Sequence, residues 1–117
     1  MDIPSHDRRA EKRLRVNCTV IYRPDEPVST SFMLRGEALK ARMLDLSQSG
    51  MAMITSRDIP TETILSLRFT LLKVNSDAVN FSGPMEITGE VRSNTPCGEN
   101  EHRLGIHFTK ARKIPPP

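Results

Sequence analysis

At 117 residues and a formal net charge of +3, the chain is long enough to bury one real core and too short for a second. Its longest apolar run falls well below the ~18 residues a membrane span needs, and Met1 to Asp7 lacks the apolar stretch of a secretory signal, so a soluble, cytosolic protein is expected. Two cysteines exclude a disulfide framework, and four Phe, one Tyr and no Trp leave few rings for stacking successive bases of a nucleic acid.

The charge is concentrated near the start. Residues 8 to 15 carry Arg8, Arg9, Lys12, Arg13 and Arg15 against Glu11, a local +4 that leaves −1 for the rest of the chain. A cationic patch on a nearly neutral body points to one anionic ligand site more than to a surface that tracks a long polyanion. The segment has no apolar anchor before Leu14, so residues 1–15 are expected to form a mobile arm. Within it, Arg9 and Arg13 form Arg-x-x-x-Arg. A planar guanidinium donates two parallel hydrogen bonds to a phosphate or to guanine O6 and N7, and it also stacks on a base. On an extended arm the pair stands ~13 Å apart, enough to span a dinucleotide.

Alternation at period two then recurs along the chain, while helical periodicity is hard to find. Leu14, Val16, Cys18, Val20 and Tyr22 share one face of a first strand, which the turn-rich Arg23-Pro24-Asp25-Glu26-Pro27 is expected to end. Cys18 falls on the core face and Cys97 in a later loop. A second strand is expected from about Glu37 to Leu46 and a third from Met51 to Thr55. The connection between them reads Asp45-Leu46-Ser47-Gln48-Ser49-Gly50, an Asp-x-Ser-x-x-Gly motif on a tight turn at a sheet end. An ionised Asp45 only accepts hydrogen bonds, and guanine N1 and its exocyclic amine are donors facing one way, so this carboxylate selects guanine over adenine. Ser47 adds a small donor and acceptor, and Gly50 allows positive φ or a close approach of backbone to a ligand.

Further on, Leu65, Leu67, Phe69 and Leu71 alternate with Ser66, Arg68 and Thr70 in the clearest strand of the chain. A polar hairpin region over Asn75 to Pro84 leads to a strand around Ile87 to Arg92, a turn over Asn94 to Asn100, and a last strand through Leu104, Ile106 and Phe108. Six short strands at hairpin spacing favour a small antiparallel barrel or sandwich, and closure removes edges that so little helix could not cover. The barrel or sandwich is expected over residues 14–109 and a Pro-rich tail over 110–117.

Other chemistry finds little support. His6, His102, His107 and Cys97 lack the matched spacing of a four-ligand metal site, so no metal is expected. No third group orients a Cys or Ser nucleophile, and there is no catalytic constellation. The methionines suit adaptable core or rim packing.

Taken singly, the basic run is a solvated charge cluster and the Asp-Ser-Gly hexamer an ordinary turn as readily as a site. Their order across the strands, with Leu104-Gly105-Ile106-His107-Phe108 near the end, resembles the PilZ domain family of bacterial cyclic di-GMP receptors, from Arg8 to about Phe108. The resemblance implies a six-stranded antiparallel β-barrel and a non-enzymatic receptor, with the arginine arm clamping cyclic di-GMP against the turn. Ligand-contacting roles would fall on Arg9, Arg13, Asp45, Ser47 and Gly50. Arg8 supplies a third guanidinium, which would suit two stacked ligand molecules. Many members end in a helix that packs on the barrel, but only nine residues follow Phe108 here and three are proline, leaving a single turn at most. With no second domain, output would pass to a protein partner or a change of assembly, in the family's usual settings of motility, surface polysaccharide and virulence control. Two alternatives are a small barrel that binds single-stranded nucleic acid through the same arm, and a ligand-free protein-interaction module.

Overall fold

Six antiparallel strands close on themselves in the computed structural model, which describes residues 12–26, 38–72, 79 and 82–114. They are β1 (Leu14–Glu26), β2 (Leu39–Leu46), β3 (Gly50–Thr55), β4 (Ile64–Leu71), β5 (Gly83–Gly98) and β6 (Glu101–Lys113). The order around the barrel is β1-β2-β3-β6-β5-β4, so β3 pairs with β6, and β1 closes the ring against β4. Every pairing is antiparallel. The described residues contain no helix.

Period-two alternation builds the interior. Val20, Tyr22, Met43, Leu46, Met51, Met53, Leu65, Leu67, Ile87, Val91 and Leu104 are each at most 1 % exposed, which places the apolar face of all six strands inside. The strand β3 departs from the buried-exposed rhythm, since Gly50 and Ala52 on its outer side are buried too. Tyr22 shows how the core tolerates a polar atom: its hydroxyl lies 2.5 Å from Thr55 Oγ1, and both groups are buried.

Three boundaries differ from the sequence-based expectation. β1 does not stop at Pro24, which is buried and opposite Leu65 of β4. The pairing of β1 with β2 ends at Tyr22, so Pro24 has a ladder on one side only among the described residues, and its missing N–H costs little. The predicted turn over Asn94 to Asn100 is mostly strand: β5 runs to Gly98, and the reversal is confined to Glu99 and Asn100, the latter with φ 59°. Cys97 is therefore an exposed strand residue and not a loop residue. At the C-terminal end, β6 continues to Lys113, paired with Met85, and the Ile114 N–H donates to the Pro84 carbonyl at 3.0 Å. Cys18 is only half-buried, packed against the edge of the core beside Leu14 and Val16.

Candidate functional site

The β2–β3 connection is a turn held from within. The Ser47 N–H donates to the Gly50 carbonyl at 2.8 Å, and the Ser47 hydroxyl donates to the same oxygen at 3.3 Å. This accounts for the serine: its side chain is 1 % exposed and staples the turn. The Ser49 carbonyl accepts from the Phe108 N–H at 2.7 Å, which fastens the turn to β6.

Gly50 is required by the neighbouring strand. A Cβ at this position would lie 2.5 Å from the Ile106 carbonyl oxygen, a backbone atom that cannot swing away. Positive φ is not the reason, because the positive-φ glycines among the described residues are Gly83 and Gly98. The glycine thus allows a close backbone approach, to β6 itself.

Asp45 sits one residue before the end of β2 and draws in two arginines from distant parts of the chain. Arg13 donates through Nε at 2.9 Å and Nη2 at 2.6 Å, both to Oδ1. Arg103 of β6 places Nη2 3.6 Å from Oδ2. The side chains of Arg13 and Asp45 are about a quarter exposed, 26 % and 23 %, so the pair is partly shielded and still open to a ligand.

Two irregularities in the ladder shape the surroundings of Asp45. The register of β1 against β2 shifts between Arg15 and Cys18, and that of β2 against β3 shifts between Met43 and Asp45. Each shift places an extra residue in one strand, bends it and re-aims its side chains. A cavity of about 640 Å³ lies here, lined by Arg15, Asn17, Arg42, Asp45 and Arg103 among others.

Of the residues the sequence singled out, Arg13 and Asp45 meet directly across 32 positions, and Ser47 and Gly50 join each other within the turn. Arg8 and Arg9 lie outside the described residues. Arg15, Asn17, Arg42 and Arg103 around the cavity were not singled out. They are solitary polar residues on the outward side of three different strands, and only the pairing order brings them together. Their shared parity is the sole trace in the sequence: Arg42 and Arg103 both stand opposite Ile54, from β2 and β6 respectively.

No group of three or more His, Cys, Asp or Glu side chains placed to hold a metal occurs among the described residues. His102 is instead engaged with Asn94, its Nδ1 3.0 Å from Asn94 Oδ1, while the Asn94 amide donates at 2.8 Å both to Asp58 and to the Ile59 carbonyl. This cluster ties the β5–β6 hairpin to the loop after β3. Among family models, the one described as PilZ domain matches residues 7–114, nearly the whole chain. No curated protein matches the chain.

Proposed function

Because the chain belongs to the PilZ domain family, a family of cyclic di-GMP-binding modules, we propose that it is a receptor that clamps cyclic di-GMP between its arginine arm and the Asp45–Gly50 turn. The observation that carries this reading is the Arg13–Asp45 ion pair, which joins the end of the arm to the turn with no helix or loop between them. In the ligand-bound state Asp45 accepts from guanine N1 and the exocyclic amine. Arg13 then turns its fork from the carboxylate to a phosphate or to the guanine O6 and N7 edge. Arg9 contributes the second fork and Arg8 a third, giving enough cations for two stacked ligand molecules.

Ser47 and Gly50 act on this site mainly by holding the turn, which sets where Asp45 points. The barrel is preformed, with Leu14 and Arg15 already in β1, so binding costs little rearrangement of the strands and draws the residues before β1 across the turn. The new surface formed by arm and ligand is what a protein partner in the cytoplasm reads. The protein performs no chemistry on its ligand.

Isothermal titration with cyclic di-GMP tests the assignment. Loss of a bidentate arginine contact costs ~1–3 kcal/mol, roughly 5- to 150-fold in affinity, so Arg9→Ala and Arg13→Ala are each expected to bind that much more weakly. Unaltered isotherms in both variants would end the site assignment, and a wild type that gives no heat would end the receptor reading. An Arg8→Ala variant is expected to keep affinity and halve the ligand count.

A further inference from the structure

We infer that the cavity behind Asp45 is a phosphate subsite on the barrel wall, built by Arg15, Arg42 and Arg103 and separate from the arm. The inference rests on the receptor reading above for the identity of the ligand that delivers the phosphate.

Charge compensation supports it. On the far side of the barrel, Arg68 and Arg112 share Glu86, and Arg92 is matched by Glu90. Around the cavity three lining arginines face one lining carboxylate. That carboxylate is already committed, with Oδ1 taken by Arg13 and Oδ2 3.6 Å from Arg103. Arg15 and Arg42 have no carboxylate partner among the described residues. The lining carries a net +2, and Arg13 at its edge adds one more.

Geometry makes these charges converge. Arg42 and Arg103 flank Ile54 from adjacent strands, placing their Cα atoms about 10 Å apart at ordinary sheet spacing. Ile54 between them offers no hydrogen-bonding group to occupy their donors. Arg15 stands opposite Asp45 on β1, beside the register shift that opens the cavity. Guanidinium side chains reaching over such a span can direct several N–H groups at one tetrahedral anion. A guanine edge does not need this much positive charge, whereas a phosphodiester does. A cyclic dinucleotide held at its base by Asp45 and the turn would carry a phosphate toward this wall. The arm would then hold the opposite phosphate.

The test uses the whole chain, Arg42→Gln, Arg103→Gln, the double variant, and Arg92→Gln as a control outside the cavity. Cyclic di-GMP and inorganic pyrophosphate are the two probes, in titration calorimetry and in thermal melts. Each cavity variant is expected to bind cyclic di-GMP roughly tenfold more weakly, as for loss of one charge-assisted hydrogen bond, with its ligand-free melting point unchanged and the control like wild type. Wild-type binding of pyrophosphate that is lost in the double variant would show that the wall takes a phosphate group by itself. Loss of cyclic di-GMP affinity without any pyrophosphate binding would show that the phosphate arrives only as part of the dinucleotide. A double variant that binds both probes as wild type does overturns the subsite and leaves the receptor reading standing. A wild type silent to cyclic di-GMP but binding pyrophosphate through Arg42 and Arg103 overturns the receptor reading and keeps the subsite.

Discussion

Asp45 has two lone-pair-bearing oxygens and two arginines competing for them, and this decides how the site behaves without ligand. Arg13 satisfies its fork on Oδ1, so in the proposed clamp it stands beside Asp45 before a ligand arrives. Tyr22 offers a second, buried polar contact whose strength can be measured. Burial pushes its phenol above the ordinary value of 10.0, and the Thr55 hydrogen bond and the Arg57 charge pull partly back. A raised value means that the folded state holds the proton longer than the unfolded chain does. The stability is therefore complete below about pH 10 and is lost as pH rises beyond it. Tyr22→Phe is expected to cost about 1 kcal/mol at neutral pH, the worth of one hydrogen bond, since Thr55 Oγ1 still accepts from the Arg57 N–H. Urea denaturation between neutral pH and pH 11 checks both parts: the variant should also lose less stability at the alkaline end.

The strand β3 is narrow on its outer side, where Gly50 and Ala52 stand. Gly50 faces the Ile106 carbonyl, and Gly105 of β6 lies close to the Ser93 side chain, where a Cβ would fall 2.5 Å from the hydroxyl oxygen. Gly50 lets the turn sit tightly on β6, and Gly105 lets β6 lie close to β5. Gly50→Ala is expected to destabilise the fold by about 1–3 kcal/mol, since the β3–β6 ladder must shift to relieve a clash with backbone. It should also weaken cyclic di-GMP binding, because the Ser47–Gly50 hydrogen bonds that aim Asp45 are strained with it. Chemical denaturation and titration of this variant measure the two effects, and an unchanged denaturation midpoint would contradict the packing account. On the opposite side, Glu86 of β5 is held by Arg68 of β4 and Arg112 of β6, a brace across three strands that lowers its own pKa through those hydrogen bonds.

For the whole molecule, the closed barrel leaves its ends and its outer wall as the places where function can be added. A ligand that binds only the folded chain stabilises it by mass action, about 2.7 kcal/mol at a hundredfold excess over Kd, or about 10 °C in Tm for a domain of this size. Cyclic di-GMP is expected to produce such a shift in the wild type and a smaller one in Arg13→Ala at the same ligand concentration, reduced by about 1–2.4 kcal/mol for a 5- to 150-fold loss of affinity; equal shifts would contradict the clamp. The architecture was legible early because strand alternation is a local property: Leu65 to Leu71 or Leu14 to Tyr22 declare a buried face without reference to any partner. The turn was legible for the same reason, since Asp45, Ser47 and Gly50 are contiguous. Strand ends were less so, because whether Pro24 or Pro96 interrupts a strand depends on which side of it has a neighbour. Sequence alone thus determined an all-β chain with an Asp-Ser-Gly turn and a basic stretch ahead of the first strand, through composition and short-range periodicity. Only the tertiary structure decided that Gly50 serves the approach of β6, and that Arg42, Arg103 and Arg15 gather behind Asp45. Those facts depend on β3 pairing with β6 across about fifty residues, and side-chain parity within a strand carries no information about which strand lies beside it.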